Sequence, residues 1–274
     1  MRKITINLAA VAAFCIVVAS PALVSSSCAT PQTEQEDTTI IREDLGITAL
    51  KYSSPEVPSS IEFCGKVIDL SRFDRHERMD RELLAFTYMH STSLQMLKKA
   101  NRYFPIVEPI LKENGIPDDF KYLMVIESNM NPTARSSAGA AGLWQFMQGT
   151  GRDYGLEVNN NVDERYHIEK ATRAACRYLK DAYAKYKDWV AVAASYNAGQ
   201  ARIASQLAKQ DVDDSLDLQL VEETARYVYR ILAAKQLFSA PTTFGFRLRA
   251  SDLYPPIPYT EVTVTKPVGG INLS

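Results

Sequence analysis

A glutamate on the apolar face of a predicted helix is the first residue whose type and position indicate chemistry. Glu127 completes an i, i+3, i+4, i+7 pattern, so it shares the face that the helix buries. The other members of the pattern are Phe120, Leu123 and Met124. Burial disfavours the charged form of a carboxyl group, so we expect a raised pKa and a proton held near neutral pH, as a general acid requires. A glutamate that reaches water where the helix stops before Pro132 would also explain the segment.

A glycine-rich segment at 136–147 carries the next candidates. Small residues allow the backbone to approach a ligand closely, and glycines permit a positive φ. We expect a helix to start there and to present Trp144, Gln145 and Met147. Gln145 offers a donor and an acceptor for a sugar amide or hydroxyl. Trp144 either stacks on a sugar or fills the core.

Two further segments place polar groups on predicted helices. The segment 193–199 ends one helix with the hydroxyl of Tyr196 and the amide of Asn197. Glu223 and Tyr227 lie four residues apart, on one face of a later helix. A packing tyrosine, an amide that closes a turn and an ordinary solvated helix face would explain these residues equally well.

Taken in order, these motifs resemble those of the soluble lytic transglycosylase family. The resemblance covers roughly residues 114–238. Its motifs are Glu127-Ser128, Gly139 to Met147, Ala194 to Gly199, and Glu223-Thr224 with Tyr227-Val228. The Asp80-Arg81-Glu82 region and the Tyr254 to Pro258 tail also look like envelope-anchored members related to membrane-bound lytic transglycosylase D.

The resemblance implies a lysozyme-like helical fold and a non-hydrolytic cleavage of peptidoglycan. The bond cleaved in this family is the β-1,4 bond between N-acetylmuramic acid and N-acetylglucosamine, and the product carries a 1,6-anhydromuramoyl end. By resemblance, Glu127 is the catalytic acid and then the base. The residues that match substrate-binding positions are Ser136, Gln145, Met147, Tyr196, Asn197 and Glu223. The expected partner is a peptidoglycan glycan strand, with no cofactor and no metal.

Two other functions remain open from the sequence. One is a hydrolytic muramidase, which needs a positioned water and a second carboxylate, for which Asp153, Asp163 and Glu223 are candidates. The other is a non-catalytic envelope protein that binds glycan strands in the same groove.

Composition excludes several other classes of function. The chain has 274 residues, and 31 Lys and Arg residues against 32 Asp and Glu residues give a net charge of -1. That balance argues against nucleic acid held by broad electrostatics. The three histidines are far apart, without the paired spacing of a zinc site. No glycine-rich phosphate loop and no nucleophile elbow occurs.

The first residues are typical of an export signal. Arg2 and Lys3 precede the apolar stretch from Leu8 to Ala19, and small residues follow. Cys28 resembles a lipoprotein processing site, although Ser25 replaces the usual leucine. We expect export to the periplasm, with lipidation at Cys28 and outer-membrane attachment, or an uncleaved anchor, as alternatives to simple cleavage.

The periodicity elsewhere predicts a mainly α protein. Helical patterns fill most of residues 80–238, and strand-like alternation is confined to the tail around Val262 and Val264. Cys64 and Cys176 are the cysteines outside the export signal, and they either form a disulfide or remain free thiols. The expected organisation is a signal at 1–28, a spacer at 29–60, a helical extension at 61–113, a catalytic domain at 114–240 and an irregular tail at 241–274.

Overall fold

The computed structural model describes residues 53–258. The predicted export signal at 1–28 and the predicted strand around Val262 and Val264 lie outside the described residues, as does most of the predicted spacer. Among the described residues, no helix combines the length and the apolar character that crossing a membrane would need.

A short β-hairpin opens the described part of the chain. Strand β1 is Ser60–Phe63 and strand β2 is Lys66–Asp69, and they pair antiparallel with Ser60 opposite Asp69. The two residues between the strands, Cys64 and Gly65, have φ values of 53° and 84°, as a tight hairpin turn of the I′ type requires. The expectation that strands are confined to the tail is therefore wrong. The start of the predicted helical extension at 61–113 belongs to this hairpin.

Helices make up most of the remaining structure, and the predicted mainly α class is confirmed. In chain order they are α1 Phe73–Tyr88, α2 His90–Glu113, α3 Phe120–Ser128, α4 Gln148–Asp153, α5 Ile168–Tyr186, α6 Trp189–Ala198, α7 Gln200–Gln210 and α8 Glu222–Ser239.

Helix α3 is short and almost entirely enclosed. Phe120, Leu123 and Met124 are fully buried, as the apolar pattern predicts. Helix α8 packs against α1, α3 and α6, so it joins the first helix to the centre of the fold. Asn129 and Met130 both take left-handed conformations, with φ values of 49° and 56°. These two residues end α3 directly after the segment that holds the candidate acid.

The two cysteines in the described residues are both free thiols. Cys176 is buried on α5, and burial raises the pKa of its thiol to about 11. Its Sγ atom lies 3.9 Å from the backbone oxygen of Ile110. Cys176 therefore acts as a small apolar core residue, one of the two alternatives that the sequence left open.

Candidate active site

The candidate acid lies at the junction of two helices. Glu127 occupies the last turn of α3 and is partly buried. The hydroxyl group of Tyr227, a buried residue of α8, donates a hydrogen bond to Oε1 of Glu127. The site therefore exists only because α8 packs against the end of α3.

The pKa of Glu127 is raised from an ordinary value of 4.5 to about 7. Burial is the main cause, because it disfavours the charged carboxylate. The hydrogen bond from Tyr227 and the positive charge of Arg230 act in the opposite direction, and the charge of Glu223 raises the pKa further. The raised pKa predicted from the sequence is thus present, and its main cause is the burial that the apolar pattern indicated.

A second tyrosine lies in the electrostatic field of the same carboxyl group. Tyr196 of α6 donates a hydrogen bond to the backbone oxygen of Trp144, at 2.8 Å. Burial, and then the charge of Glu127, raise the pKa of Tyr196 well above its usual range, and the same two causes act on Tyr227. Both hydroxyl groups are therefore neutral, and each donates its proton, Tyr227 to Glu127 and Tyr196 to the backbone oxygen of Trp144.

The glycine-rich segment forms a tight loop. Gly142 and Gln145 have φ values of 78° and 47°, and Ala141 forms an isolated bridge with Phe146. The predicted helix start at Trp144 is wrong, because this backbone turns back on itself and α4 begins only at Gln148. A helix would need negative φ values at both of these positions.

Trp144 is a core residue. Its ring is fully buried, and Nε1 donates a hydrogen bond of 2.9 Å to the hydroxyl of Thr172. A ring in this position cannot stack on a sugar. Of the two roles that the sequence allowed for Trp144, the structure therefore supports filling of the core.

Four of the predicted binding residues line one groove of about 340 Å³, namely Gln145, Met147, Tyr196 and Asn197. The side chain of Met147 is 45% exposed, which is unusual for a large apolar residue and leaves it open to a ligand. The amide nitrogen of Gln145 donates to the backbone oxygens of Ala134 and Gly142, so that end of the side chain closes the loop.

The remaining two predicted binding residues are in contact with other residues of the protein. The hydroxyl of Ser136 accepts a hydrogen bond of 3.0 Å from the backbone nitrogen of Ala140, and Ser136 is absent from the lining of the groove. Glu223 is exposed at the start of α8, where its Oε1 lies 3.5 Å from the amide nitrogen of Asn197. The hydroxyl of Thr224 donates to the oxygen of the same amide at 2.8 Å, so Asn197 links α6 to α8.

Arg165 is a residue of the site that the sequence did not reveal. Its buried guanidinium donates to the backbone oxygens of Gly139 and Phe146, at 2.7 and 2.9 Å, and so holds both ends of the glycine-rich loop. Asp163 pairs with the same guanidinium at 2.7 Å. Nothing in the local pattern signals this role, because the contacts are made across at least 19 residues of chain.

The three candidates for a second carboxylate differ in their surroundings. The hydrogen bond from Arg165 lowers the pKa of Asp163 and commits its carboxylate to the loop. Asp153 is exposed at the end of α4. Glu223 is the candidate whose charge acts on Glu127. Within residues 53–258, no group of His, Cys, Asp and Glu side chains is placed to hold a metal ion.

Residues 105–217 match the family model described as the transglycosylase SLT domain. The chain is 30% identical over 181 residues to the membrane-bound lytic murein transglycosylase D of Escherichia coli strain K12, in an alignment that covers 64% of this chain and 39% of that protein. It is 30% identical over 138 residues to the peptidoglycan transglycosylase gp16 of Escherichia phage T7, covering 48% of this chain and 10% of the phage protein.

Among solved structures, the 70 kDa soluble lytic transglycosylase of Escherichia coli is 19% identical to this chain, with a TM-score of 0.48. That similarity covers 69% of this chain and 32% of the other. The chain spans about two fifths of the length of the membrane-bound lytic murein transglycosylase D of strain K12 described above. The matched segment ends before α8, so Tyr227 lies outside it.

Gly142 is a position where we expect an added methyl group to disturb the loop. A Cβ atom there would lie 1.9 Å from the backbone oxygen of Arg165, and the positive φ disfavours any other residue. We therefore expect Gly142→Ala to lower the free energy of unfolding by about 2 kcal/mol or more, measured by urea denaturation. Gly149→Ala in α4 is the matched control, because a Cβ atom meets nothing within 4 Å there. Equal stability of the two variants would contradict the packing described here.

The raised pKa of Glu127 predicts a pH-dependent cost to folding. The folded protein binds this proton up to about pH 7, whereas an unfolded chain releases it near pH 4.5. The stabilising effect of the proton is therefore complete below about pH 4.5 and is lost as the pH rises from there through 7. We expect the free energy of unfolding of Glu127→Gln to exceed that of the wild type by about 1 to 3 kcal/mol at pH 8 and to be similar at pH 4, as measured by urea denaturation. Glu77→Gln, at an exposed position of α1, should show no such gain at pH 8. A Glu127→Gln protein no more stable at pH 8 than at pH 4, relative to the wild type, would rule out a buried acid.

Proposed function

Because residues 105–217 match the transglycosylase SLT domain, we propose that this protein is a peptidoglycan lytic transglycosylase. It cleaves the β-1,4 bond between N-acetylmuramic acid and N-acetylglucosamine and leaves a 1,6-anhydromuramoyl end. The observation that carries the proposal is the carboxyl group of Glu127, which has a pKa of about 7 and a hydrogen bond from Tyr227. A group with that pKa is competent both to give and to take a proton near neutral pH.

In the first step Glu127 acts as the acid. Its proton moves to the glycosidic oxygen, the bond from that oxygen to C1 of the muramoyl residue breaks, and the N-acetylglucosamine side leaves as an alcohol. The oxygen of the neighbouring acetamido group forms a transient bond to C1, so the enzyme needs no nucleophile of its own. Tyr227 donates to the carboxylate that this step creates, and so offsets part of the cost of a buried charge.

In the second step the same carboxylate acts as the base. It takes the proton of the muramoyl 6-hydroxyl, whose oxygen attacks C1, and the bond from the acetamido oxygen to C1 breaks. A 1,6-anhydro ring closes, no water is consumed, and Glu127 regains its proton. One carboxyl group therefore suffices, in contrast to glycosidases that use two. Tyr196 lies in the field of Glu127, a position from which its hydroxyl can orient the acetamido group.

The groove supplies contacts for the sugar rings. We assign Gln145, Met147, Tyr196 and Asn197 to substrate binding, supported by their shared place along the groove. The exposed thioether of Met147 suits the apolar face of a sugar ring. We assign Ser136 to the shape of the loop that borders the site, because its hydroxyl closes residues 136–140. Glu223 orients Asn197 and adds negative charge near Glu127.

We expect Glu127→Gln to lower product release from purified cell-wall sacculi by at least about 100-fold, while binding to the sacculi persists. Glutamine keeps the size of the side chain but can neither give nor take the proton. The measurement is mass spectrometry of soluble muropeptides, in which anhydromuramoyl products are one water lighter than hydrolytic ones. The control is Glu77→Gln, which should release anhydro products at the wild-type rate. Retained activity in Glu127→Gln would show that another group is the acid.

The same digest distinguishes the two other functions. Glu223 is the observation that favours a muramidase, because its charge acts on Glu127 from the start of α8. Products with reducing ends would support that function and overturn ours. Wild-type protein that binds sacculi and releases nothing would support a glycan-binding protein.

We also propose that the protein acts in the cell envelope, exported to the periplasm and attached to the outer membrane through lipidated Cys28. The charged and apolar pattern of residues 1–28 and the similarity to a membrane-bound transglycosylase support this location.

We expect cells that express the full chain to incorporate a palmitate analogue into it, and Cys28→Ala to abolish the incorporation. Labelling that survives this substitution would rule out Cys28 as the lipidated residue.

A further inference from the structure

A buried carboxylate on α1 faces two arginines of α8. Glu82 is 1% exposed, and its Oε1 accepts a hydrogen bond of 2.6 Å from Nε of Arg226. Its other oxygen lies 3.9 Å from Nε of Arg230. A fully buried carboxylate is costly unless cations compensate it, so its position needs a reason.

Arg230 connects this cluster to the active site. It follows Tyr227 by three residues and therefore lies on the same face of α8 as the tyrosine that binds Glu127. Its Nε atom is buried and makes no hydrogen bond. The side chains of Glu82, Arg226 and Arg230 border a cavity of about 360 Å³, which Ile126 and Asn129 border from α3 and its end. Those two residues flank the Glu127-Ser128 motif.

We propose that Glu82 is a positioning residue, which holds Arg226 and Arg230 by its charge and so keeps Arg230 from forming an ion pair with Glu127. The guanidinium of Arg230 lacks a hydrogen-bond acceptor for Nε, and a carboxylate is the partner it would take. Two carboxylates compete for it, Glu82 from α1 and Glu127 from α3. An ion pair between Arg230 and Glu127 would keep Glu127 ionised and remove the acid.

The other charged and titratable groups near the cluster are accounted for. Tyr227, Arg230 and Glu223 of α8 act on the pKa of Glu127, and the charge of Glu127 in turn acts on Tyr196 of α6. Arg226 also lies in the field of Glu222. Glu222 in turn pairs with Arg81 at the surface, where both side chains are more than half exposed. Glu82 is thus the carboxylate that meets both arginines in the buried layer between α1 and α8.

This inference rests on the proposed role of Glu127, and its test does not require activity. The test measures the pKa of Glu127 directly, by ¹³C NMR titration of side-chain carboxyl carbons, with the signal assigned by its loss in Glu127→Gln. We expect Glu82→Gln to lower that pKa by about 1 or more, because Arg230 then pairs with Glu127. The alkaline limb of the pH–rate profile for anhydro product release should move to lower pH by the same amount.

Two further variants make the test decisive. Arg230→Gln should raise the pKa of Glu127, since it removes the positive charge. The pKa of Glu127 in the double variant Glu82→Gln, Arg230→Gln should be higher than in Glu82→Gln alone. The control is Glu222→Gln, which removes a carboxylate from an exposed pair with Arg81 and should leave the titration unchanged. An unchanged pKa of Glu127 in folded Glu82→Gln would overturn the proposal.

If Glu82→Gln fails to fold, Arg230→Gln decides, and an unchanged or lowered pKa of Glu127 there would overturn the proposal. The proposed function and the proposed positioning role can fail separately. Wild-type protein that releases no product, but shows the expected shifts in the pKa of Glu127, would contradict only the function. Wild-type activity with anhydro products, but no shift in Glu82→Gln, would contradict only the role of Glu82.

Discussion

The hydrogen bond between Tyr227 and Glu127 joins two helices that the rest of the molecule must bring together. Burial of the carboxyl group raises its pKa to about 7, but a buried carboxyl group without a hydrogen-bond partner would weaken the fold. The tyrosine hydroxyl meets that need without adding a charge, because its own pKa is raised well above the usual range. The short helix α3 must therefore end against α8, and the elements around both helices serve to fix that contact.

The contact depends on parts of the chain beyond the matched segment at 105–217. Helix α8 follows that segment and supplies Tyr227, while α1 precedes it and packs along α8. Lys235 near the end of α8 bonds to Asp119 at the start of α3, with a distance of 2.9 Å, and to the backbone of Glu62 in the hairpin. The predicted boundary between residues 61–113 and 114–240 stays a prediction, but ion pairs of α8 with Glu62, Arg81 and Glu82 cross it.

Periodicity revealed the parts of the site that depend on a single helix. The raised pKa of Glu127 followed from its place in an apolar pattern, and the tyrosine and amide of α6 followed from a helix end. The sequence pattern does not identify the hairpin at 60–69, because four residues of alternation are too few to separate a strand from a loop. Trp144 was ambiguous for a different reason, since a buried ring and a sugar-stacking ring both fit the local sequence, and only the packing shows that the ring is buried against Thr172. The role of Arg165 could not be predicted from the local sequence, because its partners are backbone oxygens of a loop that is distant along the chain.

A single carboxyl group that serves as acid and then as base faces a conflict, since each role favours a different pKa. As an acid, the group gives up its proton more readily when its pKa is lower, whereas as a base, its carboxylate takes a proton more readily when the pKa is higher. A value near the working pH divides the barrier between the two steps, because proton transfer in either direction then costs little. Burial alone would place the pKa of Glu127 higher, and the Tyr227 hydrogen bond and the charge of Arg230 bring it down to about 7. The pKa of Glu127 thus balances burial against two groups on one face of α8. On the proposed mechanism, a residue that controls how closely Arg230 approaches Glu127 would influence both proton transfers.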